Sequence, residues 1–296
     1  MPKFSEGTLS NWIKPPSDTE ETKLSNSARA VREAIADDPI LSQKSTEVFG
    51  QGSYANDTNV RLNSDIDINV RYTGGFYFDL PKEKTRDDFG LNTPSEYSVE
   101  KFKDDVYSAL VRKFGSASVV RKNKCLTVSG NTYRVETDVV PTWNYRRYSD
   151  SGNYVLGAKL RADSGEYVVN YPKQHIENGK QKNAQTSRRF KRLTRIYRKL
   201  RYKMIDDGNG VNANVSSFLL ECLVWNVPNH ILNNNNSWQD RLKDSIVYLY
   251  NHTKDEEKCD EWGEVSELLY LFRGNRKWSK SDVNQFMVDA WNYLEY

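Results

Sequence analysis

Two aspartates one residue apart, Asp65 and Asp67, follow shortly after the pair Gly52-Ser53. The stretch DIDINVRY (65–72) alternates, with Ile66, Ile68, Val70 and Tyr72 on one side, which predicts a strand with both aspartates on the other. Strand geometry puts the Cα atoms of such a pair about 6.5–7 Å apart. Carboxylates so placed reach a common pair of divalent cations, which sit ~3.5–4 Å apart in two-metal sites. Mg²⁺ suits them, being a hard ion that takes carboxylates together with substrate phosphates, and Mn²⁺ is the alternative. The Gly52-Ser53 turn offers close backbone approach and a hydroxyl to phosphate oxygens. A lone Asp-x-Asp on a strand is also what a solvated strand face looks like; the coupling to Gly-Ser is what points to chemistry. A third carboxylate on a neighbouring strand would add to the case. TYRVETDVVP (132–141) offers Glu136 and Asp138 on one predicted face, and strand period does not choose between them.

A second constellation is basic. From Asn178 through Arg201 the chain has no acid and carries Arg188, Arg189, Lys191, Arg192, Arg195, Arg198 and Lys199. Phe190, Leu193, Tyr197, Leu200 and Met204 recur at steps of three and four, which predicts a helix with one buried stripe. Arg188, Lys191, Arg195 and Arg198 recur at the same steps on an adjoining face. Such a face serves a triphosphate, a nucleic acid or solvent equally well by pattern, although guanidinium forks match phosphate oxygens closely. Ser217 opens an apolar helix, as an ordinary N-cap or where N–H dipoles favour an anion. Asn170, before Tyr171-Pro172, carries an amide able to pair with a base edge or to cap a turn. Tyr54 and Phe218 offer rings for stacking on a base or for the core.

These residues need elements to hold them. The chain has 296 residues, 37% hydrophobic but 12% aromatic, which supplies core-forming area and argues against disorder. Forty-three basic against 40 acidic residues leave +3, too balanced for a protein that coats nucleic acid. Cys125, Cys222 and Cys259 lie far apart, as do His175, His230 and His252, so no zinc spacing is legible and a reducing compartment is expected. The first residues lack the pattern of a signal peptide, and no stretch approaches the ~20 apolar residues of a membrane span, so a cytoplasmic location is expected.

An irregular arm ending at Pro15-Pro16 is expected to lead into a helix from Ser17-Asp18 to about Ile35. Strand texture follows to about Pro141, interrupted by a helix near 96–114 that Gly115 stops. Strands are expected near 117–122, 125–129 and 132–140. Helical patterns then dominate at 184–205, 216–226, 238–251, 260–272 and 281–294, with loops at 208–210 and the four asparagines 233–236. The fold class is α+β, divided as 1–170 and 171–296, with the active site expected in the cleft between the two lobes.

Gly-Ser, then Asp-x-Asp, then a distant third Asp resembles the DNA polymerase β-like nucleotidyltransferase superfamily. The fuller text, GQGSYANDTNVRLNSDIDINV with ETDVVP, resembles the bacterial cGAS/DncV-like nucleotidyltransferases (CD-NTases). The likeness continues through YPKQHIENGKQKN, RRFKRLTRIYRKLR, SSFLLECLVWNVPN and EWGEVSELLYLFRGNRKWS to AWNYL, nearly end to end. The resemblance implies a mixed-sheet nucleotidyltransferase core with a helical C-terminal lobe, and Mg²⁺-dependent synthesis of a cyclic oligonucleotide from NTPs in bacterial anti-phage signalling (CBASS). It implies Asp65, Asp67 and Asp138 as catalytic metal ligands, with Asp138 chosen over Glu136. It implies Gln51, Gly52, Ser53, Asn170, Arg198 and Ser217 as nucleotide-binding residues. Arg198 stands where the family usually has lysine, so Arg195 or Lys199 shares the role. It further implies a nucleotide-activated effector, a regulatory partner, and no need for a long nucleic acid or membrane. A linear-product or RNA-tailing transferase, and a nucleic-acid sensor, are the alternative readings.

Overall fold

The computed structural model describes residues 2–60, 65–95, 97–234, 236–255 and 257–296. Residues 61–64 of the Gly-Ser to Asp-x-Asp segment lie outside these. Among the described residues the strands are β1 (Thr46–Gln51), β2 (Ile66–Asp79), β3 (Val119–Arg121), β4 (Leu126–Val128), β5 (Thr137–Tyr148), β6 (Tyr154–Arg161) and β7 (Tyr167–Asn170). They form one sheet in the order β1-β2-β5-β4-β3, with β6 also on β5 and β7 on β6. β2 and β5 run parallel and every other pair is antiparallel. The helices are α1 (Glu6–Trp12), α2 (Asp18–Ala36), α3 (Gly52–Ala55), α4 (Val99–Phe114), α5 (Pro172–Gln185), α6 (Arg189–Asp206), α7 (Ser217–Asn226), α8 (Asn229–Asn234), α9 (Trp238–Lys254) and α10 (Lys280–Leu294).

The chain divides into two compact units. Ser17–Tyr54 with Ser64–Pro172 make the sheet unit; Met1–Pro16, Ala55–Asn63 and Lys173–Tyr296 make the helical unit. The boundary near 170 read from sequence therefore falls close to the start of α5, but two earlier segments pack with the helices rather than with the sheet.

In the sheet unit, alternation decides which face is covered. Ile66, Ile68, Val70 and Tyr72 of β2, with Val139 and Trp143 of β5, pack against Leu24, Val31 and Ile35 of α2 and against Phe102, Val106 and Leu110 of α4. Burying each large apolar side chain contributes roughly 1.5–3 kcal/mol, so this layer fixes the register of β2. α2 starts at a capping box, in which the Glu20 carboxylate accepts from the Ser17 N–H and hydroxyl, each at 2.8 Å. α4 starts at Ser98, whose hydroxyl accepts from the Lys101 N–H, and ends at Gly115, with φ +83°.

In the helical unit the predicted stripe of α6 is the core: Phe190, Leu193, Tyr197, Leu200 and Met204 are fully buried among α7, α9 and α10.

Several expectations need correction. The arm before Pro15 carries α1, whose Leu9 is buried in the helical core. The strand expected at 132–140 starts at Thr137 and continues to Tyr148. β4 pairs with it at 137–139 and β6 at 143–148, and Pro141 falls between those neighbours, where a residue without an N–H is tolerated. β6, β7, α5 and α8 were not anticipated. The helix expected at 184–205 breaks at Ser187 and Arg188, both left-handed (φ 48° and 67°), so α6 begins at Arg189. The helix expected at 260–272 is replaced by turns around a Gly263–Tyr270 bridge, closed by hydrogen bonds from Glu264 N to Leu269 O and from Leu271 N to Trp262 O. Asn233 and Asn234 finish α8 instead of forming a loop, and Asn235 is outside the described residues. No helix among the described residues is long and apolar enough to cross a membrane.

Candidate active site

The register of the sheet unit lines up the residues that matter. Gln51 of β1 pairs with Asp67 of β2, Asp67 with Asp138 of β5, and Asp138 with Thr127 of β4. Registered partners share a face, and neighbouring strands lie ~4.8 Å apart, so the two carboxylates are adjacent on the face opposite α2 and α4. Asp67 is half-buried, and the Asp138 side chain is 24% exposed. The Thr127 hydroxyl donates to Asp138 Oδ1, and Lys122 Nζ lies 3.7 Å from the same oxygen. Cys125 sits beside them: burial first, and then the Asp138 charge, push its thiol up to about 11. Asp65 is exposed and immediately precedes β2, so it stands at the entrance of the strand rather than within its ladder. Glu136 is exposed and precedes β5; its carbonyl, not its carboxylate, meets β2, accepting from the Ile66 N–H.

Gly52 begins α3 at φ +64°, and a Cβ there would lie 2.1 Å from Asp67 Oδ2. Only glycine leaves room for that carboxylate. Gln51 is fastened on the same face: Asn69 Nδ2 donates to its Oε1 at 2.9 Å, and the Thr142 hydroxyl donates to Asn69 Oδ1 at 2.7 Å. Thr127, Asn69 and Thr142 were missed by sequence reasoning. Asn69 was within reach, since it continues the polar side of the alternation begun by Asp65 and Asp67. Tyr54 packs against the core of the sheet unit. Asn170 is exposed at the end of β7.

The donor chemistry of Asp67 and Asp138 fits hard divalent cations, with room kept by Gly52. Among the described residues no cluster of three or more His, Cys, Asp or Glu forms a ready-made cage. An open pair of carboxylates is what a cation needs when substrate phosphates complete its shell.

In the helical unit the basic face of α6 is not a solvated one. Lys191, Arg195 and Arg198 are buried, whereas Arg188 is exposed just before the helix. Arg195 donates from Nη1 to Ile13 O at 2.9 Å and from Nη2 to Asp57 O and Oδ1 at 2.7 and 2.6 Å. Those contacts commit it to the fold. Arg198 instead makes one long contact among the described residues, from Nη1 to the Thr58 hydroxyl at 3.5 Å, and the buried Nε of each arginine has no hydrogen-bond partner there. The cap of α7 is Ser216, which accepts from the Leu219 N–H; Ser217 is the next residue, within 3.5 Å of the Tyr202 hydroxyl. Phe218 is partly exposed and packs near His175 and Trp278.

In-register carboxylates on two parallel strands, a glycine turn against one of them and a mixed sheet backed by helices define a nucleotidyltransferase. Residues 177–295 match the family model of the cGAS/DncV-like nucleotidyltransferase C-terminal helical domain. The chain is 66% identical over 296 residues, all of both chains, to a cyclic dipyrimidine nucleotide synthase, CdnE, of Cecembia lonarensis. It is 37% identical to the protein of that name from Legionella pneumophila, over 98% of each chain. The solved cyclic dinucleotide synthase CdnE of Elizabethkingia meningoseptica, with GTP and Apcpp, aligns at a TM-score of 0.84 and 36% identity, covering 99% of this chain and 100% of that one. The chain belongs to the cGAS/DncV-like nucleotidyltransferases, the family its motifs resembled, and it is an enzyme of that cyclic-nucleotide-forming group.

Proposed function

We propose that the protein joins two NTPs into a cyclic dinucleotide, releasing pyrophosphate at each step, with pyrimidine nucleotides as its preferred substrates. The observation that carries the chemistry is the row Gln51–Asp67–Asp138–Thr127, kept open by Gly52. The base preference rests on the 66% identity to a dipyrimidine synthase over the full chain. Asp65, Asp67 and Asp138 would hold Mg²⁺, which when bound supplies neutralising charge to the attacking and leaving oxygens. Asp138 would take the proton of the acceptor hydroxyl. Thr127 steadies it by donating to one oxygen. Gln51, Ser53, Arg198 and Ser217 would orient the leaving phosphates, and Asn170 would read a base edge. Arg195, committed to Asp57 and Ile13, would contribute charge and not contact. The setting suggested by the family is anti-phage signalling in a bacterial cytoplasm, upstream of a nucleotide-activated effector and under a regulatory partner.

The test is incubation with labelled NTPs and Mg²⁺, phosphatase treatment, and mass analysis of what survives. A phosphatase-resistant pyrimidine dinucleotide is the expected product. A phosphatase-sensitive product would make the enzyme a linear polymerising transferase, and a purely purine cycle would overturn the base assignment.

A further inference from the structure

The helical unit buries a carboxylate that the chemistry above does not use. Glu221, in α7, is 3% exposed. Its Oε1 lies 3.1 Å from His175 Nε2 of α5, and its Oε2 accepts the Thr58 hydroxyl hydrogen bond at 3.0 Å. Thr58, fully buried, in turn takes the long contact from Arg198 Nη1. Two helices and the segment 55–60 thus converge on one carboxylate, and α6 reaches it through Thr58. Burial alone would push the carboxyl up, but the His175 hydrogen bond and charge, then the Arg198 charge, hold it below the usual range and so ionised.

Arg198 is the odd member of its helix. One turn away, Arg195 spends its guanidinium on two carbonyls and a carboxylate. Arg198 is equally buried, yet among the described residues its Nη atoms make one 3.5 Å hydrogen bond, while the Nε of both arginines is unpartnered. Folded proteins seldom leave a buried cation short of hydrogen bonds, and a functional role is one of the reasons they do. A direct, fully satisfied pair with Glu221 would consume the fork. The interposed Thr58 prevents that while the carboxylate still supplies charge.

We infer that Glu221 is a positioning residue: through Thr58 it holds the Arg198 guanidinium buried and uncommitted, ready for the triphosphate tail of the donor nucleotide. The inference rests on Arg198 being a triphosphate contact, as proposed above. It assigns the hydroxyl of Thr58 and the charge of Glu221 to substrate affinity and not merely to packing.

The experiment measures binding of each NTP and its monophosphate by calorimetry, with Ca²⁺ in place of Mg²⁺ to suppress turnover, alongside melting temperature. Charged hydrogen bonds are worth enough that Glu221→Gln and Thr58→Val should each weaken NTP binding by roughly tenfold or more. Monophosphate binding should be unchanged, and Thr58→Ser, which keeps the hydroxyl, should restore NTP affinity. Neither change should weaken binding further in an Arg198→Ala background. If Arg198→Ala itself leaves NTP affinity unaltered, the triphosphate reading of Arg198 is wrong. If Arg198→Ala weakens NTP binding but Thr58→Val binds as wild type, the positioning role is overturned. Equal loss of NTP and monophosphate binding would likewise overturn it, showing a structural role only.

Discussion

The sheet unit and the helical unit treat charge in opposite ways. In the first, Asp67 and Asp138 share the sheet face opposite α2 and α4, where Gly52 leaves room for one carboxylate and the Thr127 hydroxyl donates to the other. In the second, Arg195, Arg198 and Glu221 are buried, and each is defined by groups brought from distant segments, Ile13, Asp57 and Thr58. The difference follows from what each would bind. Cations bring their own charge and water, so their ligands need access. A guanidinium that meets a polyanion gains most where water is scarce, so burying it is favoured where a nearby carboxylate offsets the desolvation cost.

The comparison breaks most visibly at the carboxylates. Asp138→Asn should reduce product formation by roughly 10³-fold or more, since it removes several kcal/mol of charge stabilisation, whereas Glu136→Gln should leave the rate near wild type. Initial rates at saturating NTP and Mg²⁺ decide this. If the glutamate change is the damaging one, the third ligand is misassigned.

A smaller but distinctive loss is expected at Gly52→Ala. The left-handed backbone costs a Cβ about 1–2 kcal/mol, and the added methyl would strike the Asp67 carboxylate. Activity should fall further than that stability change explains, which chemical denaturation beside rate measurements would show.

The two arginines sharpen the contrast within α6. Arg195→Ala should lower stability by about 2–3 kcal/mol, less than a fully buried pair would cost because Asp57 stays in water. Arg198→Ala should cost less stability and more NTP affinity, and Arg198→Lys should recover much of it. Equal stability losses would show that both arginines are simply structural.

The smallest effect is at the turn carrying Lys122. Arg121, by hydrogen bonding, and then Lys103 hold the Asp163 carboxyl down at about 2. Its folded value lies below its unfolded one, so the stabilisation is present above the ordinary carboxylate range and disappears as pH falls towards 2. The urea midpoints of wild type and Asp163→Asn should therefore differ modestly at neutral pH and converge in acid.

The legible part of this protein was the part governed by period. Alternation in 65–72 placed Asp67 opposite Ile66 and Ile68, and steps of three and four in α6 identified a stripe that is fully buried. What was not legible depends on partners far apart in sequence. No local pattern shows that Arg195 is tied to Ile13, or that Arg198 is screened from Glu221 by Thr58. Glu136 and Asp138 looked equivalent because the start of β5 falls between them, at Thr137, and a strand end set by pairing with β2 and β4 leaves little trace in composition. The helix wrongly expected at 260–272 had apolar residues at helical spacing but closes as turns, through the contacts of Trp262 and Leu271.

If the Asp67–Asp138 pair performs metal-dependent nucleotidyl transfer, titrating Mg²⁺ against product formation in wild type and in Asp67→Asn of equal melting temperature will separate the two proteins completely. A saturable Mg²⁺ response is expected in the wild type, and no product from Asp67→Asn at any concentration. Near-normal turnover by Asp67→Asn would contradict that role of the pair.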